Sequence, residues 1–138
     1  LGGSRGIGKA ISDSLKLIEI DVFAASKKDI DTSNLESVNK FLEEHNETDI
    51  LILNVPYPGN KAEGKNLDTE SAIKIISQVR PRLAIITHFG LEMLKADPLN
   101  EAREIQRITG VQTIAAQDGL IVSPGSYGKY KSPIKGYS

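Results

Sequence analysis

The stretch Asp49-Ile50-Leu51-Ile52-Leu53-Asn54 decides the fold class of this chain. Its consecutive aliphatic residues do not alternate with polar ones, which is typical of a strand in a parallel sheet covered on both faces. A second such stretch, Leu-Ala-Ile-Ile-Thr, occupies residues 83–87, and a shorter one occupies residues 20–25. Strands of this kind, separated by helices, predict an α/β fold.

Segments with helical periodicity separate the predicted strands. Apolar residues recur every three or four positions from Ile7 to Ile18 and predict a helix over residues 7–17. Three further segments have a recognisable helix start or stop. Their start and stop residues, in chain order, are Ser33 with Glu36 as a capping box, Asp68 with Pro81, and Asp97-Pro98 with Gly110.

Right-handed crossovers between these strands predict a three-layer α/β/α sandwich with a mostly parallel, Rossmann-like sheet. Residues 111–116 and 120–123 are further predicted strands, and Asp118-Gly119 between them favours a tight hairpin turn. We therefore expect an antiparallel hairpin at the edge of the sheet. Residues 55–66 and 125–138 are predicted loops because they are rich in Pro, Gly, Ser and Lys and have no apolar period.

The composition indicates a single domain over residues 1–138. The net charge is -1 and 39% of the residues are hydrophobic, so neither a nucleic-acid partner nor a disordered chain is expected. The absence of Cys excludes disulfides and thiolate metal sites. The sequence contains no apolar run long enough to predict a membrane span. We therefore expect a cytoplasmic location.

A glycine-rich turn, Leu1-Gly2-Gly3-Ser4-Arg5-Gly6-Ile7-Gly8, precedes the first predicted helix. Glycine lets a backbone approach a pyrophosphate closely, and the N–H groups at the start of a helix hold the anion. The turn therefore predicts a dinucleotide site.

Residues 1–54 resemble the N-terminal half of the short-chain dehydrogenase/reductase family. The three glycines of that family's TGxxxGxG turn are matched by Gly2, Gly6 and Gly8. The strand that ends in Asn54 resembles the one that leads into the family's Asn-Ala-Gly. The resemblance implies a nicotinamide dinucleotide as cofactor.

The choice between NAD and NADP depends on the end of the second strand, where an acidic residue would select NAD. Ser26 and Lys27 stand there instead and, with Arg5, offer hydrogen-bond donors and positive charge to a 2′-phosphate, which implies NADP. Asp31 resembles the Asp that meets the adenine amino group. The implied cofactor-binding residues are Gly2, Ser4, Arg5, Gly6, Ile7, Gly8, Ser26, Lys27, Asp31 and Asn54.

Residues 123–138 resemble the reductase segment that joins the catalytic Ser to the Tyr of the YxxxK motif. The resemblance implies Tyr137 as proton donor and Ser123 or Ser126 as the hydroxyl that polarises the carbonyl. The Lys of the motif would lie beyond Ser138, so we expect weak activity or none from the chain as given.

Residues 49–122 resemble a different family, the C-terminal part of metallo-β-lactamase-fold hydrolases. The resemblance is carried by Val-Arg-Pro-Arg-Leu-Ala-Ile-Ile-Thr-His-Phe-Gly at 79–90 and by Gly-Val-Gln-Thr-Ile-Ala-Ala-Gln-Asp-Gly at 110–119. It implies that His88 ligates a divalent metal such as zinc. The family's HxHxDH cluster is absent, and the other histidine, His45, lies in a polar helix end.

The sequence thus favours an NADP-binding, reductase-like domain that transfers hydride to a carbonyl or imine, with a dinucleotide and a small-molecule substrate as partners. A homo-oligomer is possible. One alternative is a fragment of a metal-dependent hydrolase, with residues 55–122 as its hydrolase-like half. Another is a non-catalytic chimeric α/β module.

Overall fold

The computed structural model describes Ala10, Asp13, residues 34–45 and residues 47–127 of the chain. These residues form a mixed α/β fold with four helices and three strands. The elements, in chain order, are α1 (Leu35–Glu44), β1 (Ile50–Asn54), α2 (Thr69–Val79), β2 (Leu83–Thr87), α3 (Leu91–Ala96), α4 (Pro98–Thr109) and β3 (Thr113–Ala115), followed by a 3-10 turn at Pro124–Ser126.

The three strands form a parallel sheet in the order β1-β2-β3. Ile50 pairs with Leu83 and Asn54 with Thr87, so β1 and β2 are in full register. Helix α2 connects β1 to β2, and α3 with α4 connects β2 to β3. The predicted alternation of strands and helices is confirmed for this part of the chain.

The caps of α2 and α4 are those that the sequence predicts. The Asp68 carboxylate accepts a hydrogen bond from the backbone N–H of Ser71 at the start of α2. Asp97 caps α4, and Gly110 ends it in a left-handed conformation. The capping-box prediction for α1 was wrong by one residue, because Asn34 rather than Ser33 is its N-cap. Asn serves equally well there, since its side-chain oxygen reaches the same free N–H groups.

One hydrophobic core joins the helices to one face of the sheet. Parallel pairing places alternate strand residues on this face, and the buried strand residues of the core are Leu53, Ala84, Ile86 and Ala115. The helical residues packed with them are Leu42, Ala72, Ile75, Ile76, Val79, Met93, Ala102 and Ile105. Because the strand residues all come from one face, these helices cover that face of the sheet.

The predicted antiparallel hairpin edge is wrong. Gln117-Asp118-Gly119 does turn, with the Leu120 N–H bonded to the Gln117 carbonyl at 3.0 Å, but residues 120–123 form no strand. Strand β3 ends at Ala115, before the turn, and Ile121 is 90% exposed. A tight turn reverses the chain, but a paired strand also needs a buried face, and the residues after this turn have none.

Helix α3 is a helix that sequence analysis missed. It has six residues, of which Met93 is buried while Leu91 and Leu94 are exposed. A segment this short has no recurring apolar stripe for a periodicity argument to find.

The predictions for residues 1–33 and 128–138 lie outside the described residues, apart from Ala10 and Asp13, which are both helical. Both fall in the helix predicted over 7–17. No helix among the described residues has the length and hydropathy needed to cross a membrane.

Candidate functional site

The candidate site is the edge of the sheet at which the three parallel strands end. Ligands of open α/β sheets bind outside the carboxyl ends of their strands. Asn54 ends β1, half-buried and in register with Thr87, and His88 follows Thr87 directly. The structure therefore brings together at one edge the two site residues, Asn54 and His88, that the two family resemblances contributed separately.

His88 has an unusual backbone at this edge. Its φ of 62° lies in the left-handed region, which favours glycine, and its side chain is exposed. The chain is pinned on both sides of it. The N–H of Val55 donates to the carbonyl of Thr87 at 2.9 Å, and the N–H of Gly90 donates to the carbonyl of Pro56 at 3.1 Å.

A loop of residues 55–68 borders the same edge and is held by two carboxylates. The first is that of Asp68, which is 6% exposed. One of its oxygens accepts from the N–H of Ser71 at 2.8 Å and the other from the N–H of Ala62 at 3.1 Å. Asp68 therefore both caps helix α2 and fixes the position of the loop.

Glu101 is the second carboxylate, and it links α4 to the start of α2. One of its oxygens accepts hydrogen bonds from the N–H of Gly59, at 3.1 Å, and from the hydroxyl of Thr69. The carbonyl of Gly59 in turn accepts from the N–H of Glu70 at 2.8 Å. Since both carboxylates are engaged by the protein, they act as structural anchors of the loop.

We expect Asp68→Ala to lower the free energy of unfolding by about 2.5–4 kcal/mol. The substitution removes a helix cap, worth about 1 kcal/mol, and a charge-assisted bond to Ala62 worth about 1.5–3 kcal/mol. The matched control is Asn34→Ala, which removes only an exposed cap from α1. Urea unfolding of both variants tests this, and an equal loss in the two would show that the loop bond contributes nothing.

The described residues do not form a complete metal centre. A hydrolytic metal needs about three protein ligands and an open position, and no group of three His, Asp, Glu or Cys lies together in the described part of the chain. His45 caps the end of α1 with its ring 4.4 Å from that of Phe41, on a different element from His88. His88 alone does not fit a hydrolytic metal site.

Among the described residues, the shifted pKa values belong to exposed pairs along the helices. A hydrogen bond to Glu70 raises the pKa of Lys74 on α2. On α4, a hydrogen bond from Arg107 lowers the pKa of Glu104. Solvent screens such pairs, so they support the helix surfaces without creating an acid or base for chemistry.

The structure describes two of the other predicted site residues. Ser123 and Ser126 lie at the 3-10 turn, and both are exposed. Tyr137 and the proposed cofactor contacts before Asn54 lie outside the described residues. Sequence analysis also missed Glu101, for which the only signal was its place in the first turn of a capped helix.

Comparison with known proteins finds a distant relative of this chain. It is an uncharacterized protein of Methanocaldococcus jannaschii. The two are 33% identical over an alignment of 102 residues, and the match covers 72% of this chain and 37% of the relative. No protein-family model matches the chain.

The chain thus spans well under half of that relative's length. Any stretch that covers 72% of a 138-residue chain contains the central residues of the chain. The match therefore includes β1, β2 and position 88. The matched region therefore includes the positions at the carboxyl ends of both strands.

Proposed function

We propose that this chain binds NADP at the carboxyl edge of its sheet, as a domain similar to short-chain dehydrogenases/reductases. The observation that carries the proposal is the parallel β1-β2 pair ending in Asn54, with a helix following each strand. In open α/β sheets, ligands bind outside the carboxyl ends of parallel strands. The glycine-rich sequence of residues 1–8 supports it independently.

The proposal includes a three-layer, Rossmann-like sandwich for the whole domain. Helices α1, α2 and α4 account for one layer. On the opposite face of the sheet, Leu83 is fully buried and Ile85 is 8% exposed. A strand buried on both faces is what a second covering layer would produce.

The proposed residues divide into a cofactor-binding group and a catalytic group. The backbone of the turn around Gly6 holds the pyrophosphate, and Arg5 with Lys27 pairs with the 2′-phosphate. Bound NADPH would supply hydride for a carbonyl or imine. Tyr137 would donate the proton, and Ser123 or Ser126 would polarise the substrate oxygen.

The test is selectivity between the two nicotinamide cofactors. We expect NADPH to bind at least about tenfold more tightly than NADH, because one charge-assisted contact to phosphate contributes about 1.5–3 kcal/mol. Calorimetric titration of the same protein with each cofactor measures the ratio. Tighter binding of NADH would contradict the assignment of Arg5, Ser26 and Lys27.

The left-handed turn at His88 favours a second candidate, in which residues 49–122 are part of a metallo-β-lactamase-fold hydrolase. Strained non-glycine residues cluster at functional sites. Since the described residues lack a full ligand set, further ligands would have to come from outside them. Titration with zinc tests this candidate, and equal binding by wild type and His88→Ala would remove it. A chain that binds neither NADPH nor zinc would be the non-catalytic module.

A further inference from the structure

The segments that directly follow β1 and β2 are hydrogen-bonded to each other. We call residues 55–56 and 87–90 the exit clamp. Two hydrogen bonds close it, from Val55 to Thr87 at 2.9 Å and from Gly90 to Pro56 at 3.1 Å. His88 and Phe89 lie between these bonds, and Phe89 packs against the core. The backbone at His88 is therefore fixed from both sides.

Gly90 is needed for close approach rather than for backbone conformation. Its φ is -78°, which any residue adopts. A Cβ at this position, however, would lie 2.7 Å from the carbonyl oxygen of Pro56, closer than real Cβ contacts come. A side chain at residue 90 would therefore push the two strand exits apart and break the Gly90–Pro56 bond.

His88 differs from Gly90, because the feature that favours glycine there is the backbone conformation and not a close contact. Its left-handed backbone favours glycine, yet a histidine occupies the position. Within residues 34–45 and 47–127, its exposed side chain makes no hydrogen bond or ion pair that would offset the strain. Judged by backbone conformation alone, glycine would be favoured at residue 88. Residue 90 would accept other side chains if the segments that follow β1 and β2 were not in contact.

We propose that His88 contacts the ligand at the carboxyl edge and that Gly90 is its positioning residue. The exit clamp holds His88 in the left-handed conformation, and the imidazole then donates a hydrogen bond to a polar group of the dinucleotide beside Asn54. This inference rests on the proposed NADP function for the identity of the ligand. The clamp itself depends only on the geometry of residues 55–56 and 87–90.

The clamp is tested without ligand, by thermal unfolding of His88→Gly, Gly90→Ala and the double variant. His88→Gly removes the strain and should raise the unfolding midpoint by about 3–6 °C. Gly90→Ala should lower it by at least as much. In the Gly90→Ala background the clamp is open, so His88→Gly should give no further gain.

Arg80→Gly is the matched control, because Arg80 is also left-handed, with φ 49°, but caps α2 outside the clamp. Its effect on the midpoint should be the same with Gly or Ala at residue 90. A gain from His88→Gly that is equally large in both backgrounds would overturn the clamp, as would a loss of stability in that variant. If Gly90→Ala does not fold, hydrogen exchange of the wild-type Gly90 amide decides: protection supports the clamp, and exchange at the rate of an open loop overturns it.

The ligand contact is tested with NADPH as the probe. His88→Gly and Gly90→Ala should each weaken NADPH binding about three- to tenfold, the worth of one hydrogen bond, while Arg80→Gly should not. Wild-type affinity in His88→Gly would overturn the contact and leave the NADP function standing. Absence of NADPH binding by the wild type would overturn both, and the unfolding experiment would still decide the clamp.

Discussion

Replacing Gly6 with Val should abolish NADPH binding. The proposed turn needs glycine where its backbone approaches the pyrophosphate, and a branched side chain there would occupy the space of the phosphate oxygens. Because the anion's donors in this proposal are backbone groups, no other side chain can take over their role. Calorimetric titration of wild type and variant under the same salt conditions measures the effect.

The control for this substitution is Gly125→Val, since no heavy atom lies within 4 Å of a Cβ at Gly125 and its φ is not positive. This variant should bind NADPH as the wild type does. Circular dichroism should show that Gly6→Val keeps its fold. Equal NADPH affinity in wild type and Gly6→Val would remove the glycine turn from the site.

The second large effect is on stability, at the centre of the sheet. Ile86 is fully buried on β2, with Leu53 of β1 and Ala115 of β3 as its paired neighbours. We expect Ile86→Ala to lower the free energy of unfolding by about 2–5 kcal/mol, since it removes buried methyl groups and leaves a cavity. That is a large share of the roughly 5–15 kcal/mol by which domains are stable.

Ile121→Ala is the matched control, because Ile121 is 90% exposed. Its effect should be within about 0.5 kcal/mol of zero, as for other surface positions. Denaturant unfolding of the two variants gives the comparison. A loss below about 1 kcal/mol for Ile86→Ala would mean that the sheet between β1 and β3 is not packed as described.

The three strands and the helices α1, α2 and α4 could be predicted from the sequence because local chemistry determines them. The aliphatic runs of β1 and β2 are long enough to fix both strands, and their parallel pairing follows from the helix between them. The caps Asp68 and Asp97 fix where two helices begin. In each case the deciding residues lie within a few positions of the element.

The hairpin was wrongly predicted and helix α3 was missed, because local sequence does not determine either of them. Asp118-Gly119 specifies a turn, but pairing depends on a buried surface for Leu120 and Ile121, which local sequence does not reveal. Helix α3 depends on burial of Met93 in the shared core. Both outcomes are set by tertiary packing.

The candidate site was predicted only in part. The family resemblances singled out Asn54 and His88, and the structure shows that they share one edge of the sheet. The exit clamp could not be predicted, because Pro56 and Gly90 are far apart in sequence and meet only through strand pairing. The left-handed backbone of His88 could not be predicted either, because only a few per cent of non-glycine residues adopt it and nothing in the neighbouring sequence marks this position.

NMR of the two histidine imidazoles during NADPH titration tests most directly the claim that the carboxyl edge binds the ligand. The chain contains only His45 and His88. His45 ends α1, shortly before the amino end of β1, whereas His88 follows the carboxyl end of β2. The account predicts that saturating NADPH shifts the imidazole signals of His88 and leaves those of His45 unchanged. Binding that shifts His45 alone, or neither histidine, would contradict it.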